Sequence, residues 1–244
     1  MSLRLLCICA HPDDECFAFG GALALAANRG VETSVLCLTD GQAATHRGTA
    51  HSNKELGQTR RAEFEASCKV LGVTHTEILN YADARLEFET LSALAEQIVK
   101  RIRSFRPHIV ITFGGEGALN THADHTAVSA ATTAAFHWGG NPKRYPEAGP
   151  LWQPQRLYYL TSDFMLPDRH VPVLAPWTAT LDIASVFDRK QEAFRQHVSQ
   201  APLMQATAGI FEKHGQQERY TLAASTVPQP ARQSTDLFEA VADI

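Results

Sequence analysis

No stretch of this 244-residue chain approaches the roughly 20 consecutive apolar residues of a membrane-spanning helix. A targeting segment is not expected either. The apolar stretch Leu3 to Ala10 is short, is interrupted by Arg4, and runs into His-Pro-Asp rather than a small-residue cleavage site. Basic charge is not in excess: 22 Lys and Arg stand against 26 Asp and Glu, a formal net charge of −4. Without a basic stripe, nucleic acid is not an expected partner. The five cysteines are odd in number and follow no paired spacing, which argues against a disulfide framework. Cys7 and Cys9 instead read as small buried hydrophobes on one face of a strand. There is no internal repeat. The glycines of "GGEGALN" (114–120) fit neither G-x-G-x-x-G nor the P-loop, so a nucleotide-binding module is not favoured. These absences leave a cytoplasmic protein whose expected partner is a small molecule. Assembly into a homo-oligomer is compatible with them.

Hydrophobic residues at 44% and charged residues at 20% suffice for one large α/β domain over 1–244. The first half alternates strand and helix signals. Strands are expected at 3–9, 31–39, 75–81 and 108–114, and helices at 17–30, 54–72, 90–105 and 123–138. Gly30 and Gly72 are expected to close two of these helices. The alternation implies a three-layer αβα, Rossmann-like fold with a mostly parallel sheet. Residues 1–140 would form its core and carry the motifs. Residues 141–244 read less regularly: a Pro-rich loop at 141–155, strands at 155–162 and 179–183, and a helix at 185–199. A polar stretch at 224–235 reads as a linker to a short C-terminal segment. This part would shape the substrate site.

The first strand runs without a spacer into "HPDDE" (11–15). In parallel sheets the ligand crevice lies beyond the carboxyl ends of the strands. His11 and Asp14, three apart in a turn there, can aim at one point and suit a divalent metal such as zinc. Asp13 lies between them, beside a place for a water. The fourth strand leads to "GGEGALNTHADH" (114–125) on the same edge. His122 and His125 are spaced i, i+3 at a helix start that Asn120 or Thr121 could cap. Either histidine could complete a two-His, one-carboxylate set with an open position for a catalytic water. A facial H-x-D…H iron triad is a rival, but it needs Asp13 as ligand and belongs with jelly rolls rather than this pattern.

"AHPDDE" (10–15) and "HADH" (122–125) resemble the two signature motifs of the PIG-L/LmbE-like N-acetylglucosaminyl deacetylases. Between them, "TRRAEFEASCKVLGV" (59–73) resembles the family's R-x-x-E helix, and "LNYAD" (79–83) its segment ending in a site-edge Asp. The resemblance covers 3 to about 135 well and the rest loosely. It implies a hydrolase that removes the acetyl group from an N-acetylglucosamine-type sugar, with Zn2+ or Fe2+ as cofactor. An amidase of a thiol-sugar conjugate is the alternative on the same site, and a non-catalytic sugar- or partner-binding protein the other. Carried over, the resemblance implies His11, Asp14 and His125 as metal ligands and Asp13 as general base. It implies His122 acting on the oxyanion or as general acid, Asp124 orienting it, and Arg60 and Asp83 binding sugar hydroxyls. Glu15 matches the motif in a supporting role. Ala123 departs from it, because the family usually has Pro there.

Overall fold

The computed structural model describes residues 2–164, 175–228 and 233–242. Among the described residues, seven strands form one sheet: β1 (Arg4–Cys9), β2 (Glu32–Thr39), β3 (His75–Tyr81), β4 (Ile109–Phe113), β5 (Arg156–Thr161), β6 (Ala179–Asp182) and β7 (Gln217–Ser225). Their order is β3-β2-β1-β4-β5-β7-β6. The first five are parallel; β7 pairs antiparallel with both β5 and β6. The α/β expectation therefore holds, with an antiparallel edge added.

β1 sits mid-sheet and is covered on both sides, so Leu5, Leu6, Cys7, Ile8 and Cys9 are all buried. That explains its unbroken apolar run, where a one-sided strand would alternate. All five cysteines are free and buried. The helices are α1 (Asp14–Phe17), α2 (Gly20–Asn28), α3 (Asn53–Leu71), α4 (Leu91–Phe105), α5 (Ala123–Trp138), α6 (Phe187–Arg195) and α7 (Ala201–His214). Right-handed crossovers from β1 to β2 and β2 to β3 put α2 and α3 on one face. The return from β3 to β4 puts α4 on the other face, where it packs on α5. Among the described residues, no helix is long and apolar enough to cross a membrane.

Local signals set several boundaries. Ser52 caps α3 by accepting the Glu55 N–H at 3.2 Å, and Glu55 accepts the His51 N–H at 2.8 Å. Gly72 closes that helix at φ 77, as expected. Three sequence expectations are corrected. The helix expected over 17–30 is helical only from Gly20 to Asn28; Phe17 ends the short α1, and the chain breaks at Ala18 and Phe19. The helix expected over 185–199 ends at Arg195, and a short 3-10 turn, Val198–Gln200, leads into α7, which the sequence reading missed. Residues up to Ser225 belong to β7 rather than to a linker. Residues 165–174, in the less regular second half, lie outside the described residues.

The break at Phe19 lets α2 begin against the second half of the chain. Glu218 on β7 accepts the Gly21 and Ala22 N–H groups at 2.7 and 2.9 Å and pairs with the buried Lys190 at 2.6 Å. A Cβ on Gly21 would lie 2.5 Å from Ile183 Cγ2 and 2.7 Å from Glu218 Oε1. Gly21→Ala is therefore expected to destabilise the protein by about 1–3 kcal/mol through overpacking. A lower urea midpoint with unchanged slope would show it; an unchanged midpoint would rule it out.

Candidate active site

β1 and β4 are neighbours, yet the chain continues from them toward opposite edges of the sheet. Such a reversal opens a crevice beyond the carboxyl ends of the two strands. His11 to Asp14 leave β1 into it, and the 114–122 loop and the start of α5 leave β4 into it.

The turn after β1 is held from several directions. Asp13 takes a left-handed backbone, φ 109, which costs on the order of 1–3 kcal/mol for a residue with a Cβ. Its N–H donates to Glu15 Oε2 at 2.8 Å. The buried Arg60 donates from Nη2 to Asp13 Oδ2 at 2.9 Å and to the Pro12 carbonyl, and from Nη1 to the Gly41 carbonyl at 3.0 Å. Asp14 Oδ2 accepts the backbone N–H groups of Ala10 and His11 at 3.1 and 2.8 Å. Its other oxygen faces His125 Nε2 at 3.3 Å.

His125 is fixed by its surroundings. Its Nδ1 donates to the Gly117 carbonyl at 3.2 Å, and its ring stacks on Phe113 with centroids 3.9 Å apart and planes at 3°. His11 Nε2 lies 3.0 Å from Asp83 Oδ1 and 3.1 Å from Asp124 Oδ2. The His122 ring centroid is 4.7 Å from that of His11 and 5.3 Å from that of His125. His122 also caps α5, its Nδ1 accepting the Asp124 N–H at 3.1 Å. The expected caps, Asn120 and Thr121, do not serve. Thr121 is itself left-handed at φ 52, and Asn120 Oδ1 accepts the His122 N–H at 3.3 Å.

The charges are set by burial and by each other. Burial raises the Asp13 carboxyl to about 6; Arg60 pulls it back, and Asp14 pushes it further up. Burial also works to raise Asp14, but His125 and His11 outweigh it and hold the carboxyl well below the usual range. Burial would lower His11, yet Asp124 and Asp83 lift it well above an ordinary histidine. His122 is lowered by burial and by the neighbouring His11 and His125. A ring whose Nδ1 accepts a backbone N–H is neutral and carries its proton on Nε2.

One nitrogen each of His11 and His125 and one Asp14 oxygen lie within 4.8 Å of one another, all three residues buried. His11, His122 and Asp124 form an overlapping group. Two imidazoles and a carboxylate suit zinc or ferrous iron. The donor set also carries the support such ligands usually have: a carbonyl on the remote nitrogen of His125 and two backbone N–H groups on Asp14. The residues present fit a divalent metal.

Every residue expected at the site lies at this sheet edge, but three have partners other than those expected. The Asp124 carboxylate does not bond the His122 ring; it meets His11 and accepts the Ala84 and Leu86 N–H groups at 2.8 and 3.0 Å. Arg60 is 2% exposed, its guanidinium committed to the Pro12–Asp13 turn rather than open to a sugar. Asp83 is buried against His11 and accepts the Ala43 N–H at 2.9 Å. The sequence reading missed Ser67 and His197, which both donate to Glu15 Oε1, at 2.6 and 2.7 Å. Ser67 lies beside the buried Phe64 and Cys68 on α3, the sign that it looks inward, whereas no sequence signal marks His197.

Comparison with known proteins gives a consistent picture. A sequence profile of the PIG-L family, described as GlcNAc-PI de-N-acetylase, matches residues 6–136. The chain is 28% identical over 225 residues to a mycothiol S-conjugate amidase of Streptomyces coelicolor, covering 80% of this chain and 76% of that protein. It is 28% identical over 239 residues to a 1D-myo-inositol 2-acetamido-2-deoxy-alpha-D-glucopyranoside deacetylase of Rhodococcus jostii, covering 81% of each. Its fold is similar to N,N'-diacetylchitobiose deacetylase from Pyrococcus horikoshii, with TM-score 0.71, 23% identity, and coverage of 90% of this chain and 83% of that one.

Proposed function

The chain belongs to the PIG-L family, described as GlcNAc-PI de-N-acetylase, and on that premise we propose that it is a metal-dependent N-deacetylase. Its substrate would be an N-acetylglucosamine-type sugar or glycoconjugate, and its products acetate and a free amine. The observation that carries this reading is the meeting of His11, Asp14 and His125 beside Asp13 and His122 at one sheet edge. We read residues 1–244 as one domain, and His11, Asp14 and His125 as the residues that hold the metal. Zinc is the preferred ion and ferrous iron the alternative. Either, when bound, lowers the pKa of a coordinated water toward about 7 and polarises the amide carbonyl.

The remaining chemistry falls to the side chains. Asp13 takes the proton of the attacking water as the C–O bond forms. Its burial favours this, since desolvation makes a carboxylate a stronger base than an exposed one. His122 donates its Nε2–H to the developing oxyanion as a neutral imidazole. Its Nδ1 is engaged by the α5 backbone, so it is poorly suited to deliver a proton. Asp13 then passes the captured proton to the leaving nitrogen as the C–N bond breaks. Arg60 and Asp83 act by placing Asp13 and His11 rather than by gripping sugar hydroxyls.

The test combines elemental analysis with product detection. Wild-type protein is expected to hold about one zinc or iron per chain, and His125→Ala to lose it. Wild type should release acetate from N-acetylglucosaminyl substrates. Turnover confined to amides of thiol-sugar conjugates would place the chain with the amidases instead. No metal and no hydrolysis after reconstitution with either ion would end the hydrolase reading.

A further inference from the structure

His197 lies far from the motif-bearing segments, two residues past the end of α6, yet its side chain is buried against Glu15, which follows the Pro12–Asp13 turn. We propose that His197 is a positioning residue for Asp13. It holds Glu15, and Glu15 holds the Asp13 backbone in the left-handed turn that presents the carboxylate beside Asp14. The effect on turnover rests on the deacetylase reading; the effect on the turn does not.

The contacts form one continuous chain. His197 Nε2 donates to Glu15 Oε1 at 2.7 Å, and Ser67 Oγ donates to the same oxygen at 2.6 Å. The other oxygen, Oε2, accepts the Asp13 N–H at 2.8 Å. Glu15 and Ser67 are fully buried and His197 nearly so, so no water can replace a lost partner cheaply. His197 Nδ1 has no partner among the described residues, so the ring serves this site through Nε2 alone. Glu15, Cys16 and His197 lie close enough to hold a metal. Their atoms are otherwise used: both Glu15 oxygens accept hydrogen bonds, and Cys16 Sγ donates to the Asp13 carbonyl at 3.1 Å. The arrangement is a hydrogen-bonded brace.

The brace is anchored at its far end. The backbone N–H and hydroxyl of Ser199 both donate to Glu63, each at 2.7 Å. Gln200 Nε2 donates to the His46 carbonyl at 3.0 Å. Arg60, Glu63 and Ser67 follow one another along one face of α3. Arg60 holds the Asp13 turn by its carboxylate and by the Pro12 carbonyl, while Glu15 holds it by its N–H. Two independent grips keep a strained residue in one conformation, and one of them originates in the second half of the chain. This gives residues 197–200 a part in building the site.

The test uses the full chain with His197→Phe, which keeps a ring of similar size and removes the donor, and His197→Gln, whose amide can still donate to Glu15. Three readouts apply: metal per chain, steady-state acetate release, and a crystal structure of the 10–17 segment. His197→Phe is expected to keep its metal and a KM within about twofold of wild type. Its kcat should fall about 10- to 100-fold, as misplacement of a reacting group does. In its crystal structure Asp13 should leave the left-handed region. His197→Gln should recover most of the loss. If His197→Phe does not fold, Ser67→Ala removes the other donor to the same oxygen and is read in the same way. An unchanged kcat, or an unchanged Asp13 turn, overturns the proposal. If wild-type protein releases no acetate, the deacetylase reading fails, and the crystal structure alone decides this one.

Discussion

Asp13→Asn is expected to abolish most turnover, about 10²- to 10⁴-fold in kcat, while making the metal-free protein more stable at neutral pH. The two effects share one cause. The Asp13 carboxyl is pushed from 3.8 up to about 6, chiefly by burial. A carboxyl raised in the folded state contributes stability that is fully present below its unfolded value, near 4, and is lost as pH rises through 6. At pH 8 the folded protein carries an ionised group it would hold more easily protonated. That shift corresponds to on the order of 3 kcal/mol, which the neutral asparagine does not forfeit. The urea midpoint of metal-free Asp13→Asn should therefore exceed that of wild type at pH 8 and match it near pH 4. Metal content should not change, because Asp14 and not Asp13 faces His125. Wild-type kcat in the variant would remove Asp13 as the base. Equal midpoints at pH 8 would remove the desolvation argument.

The central part of this architecture was legible because parallel strands covered on both sides leave unbroken apolar runs in the sequence. β1, β2 and β4 announce themselves in that way, and turns on one sheet edge then bring "HPDDE" and "HADH" together. The second half was less legible for a specific reason. α7 carries no sustained amphipathic stripe, with only Phe211 buried, and β7 is an antiparallel strand whose pairing with β5 and β6 no local signal specifies. The break at Phe19 was hidden as well. "FAFGGALALAANRG" is helical by composition, and what divides it is the approach of Ile183 and Glu218 to Gly21, a tertiary event. The same limit applied within the site. Spacing can place His11, Asp14 and His125 near one point, but no spacing connects Glu15 to His197 across 182 positions.

Asp124 shows that limit most directly, and its substitution separates two readings of the site. The family resemblance has Asp124 orienting His122. In the structure its carboxylate instead meets His11 Nε2 at 3.1 Å and ties down the Ala84 and Leu86 N–H groups. Removing it leaves the buried Leu86 N–H and the part-buried Ala84 N–H without this acceptor and His11 with one carboxylate fewer. Breaking a buried pair of this kind costs about 3–5 kcal/mol, and losing the group that orients a metal-binding histidine costs about 10- to 100-fold in metal affinity. Asp124→Ala is therefore expected to bind zinc more weakly and to melt earlier at pH 7. The stability gap should close in acid. Burial tends to raise the Asp124 carboxyl, but His11 and the two backbone donors hold it below the ordinary range. Its contribution is present above about pH 4 and disappears as pH falls through the lowered folded value. His122→Ala is the necessary comparison. If Asp124 worked through His122, the two variants would look alike, both keeping their metal and both losing turnover. If it works through His11, only Asp124→Ala loses metal affinity, and isothermal titration of the two metal-free variants with zinc tells them apart.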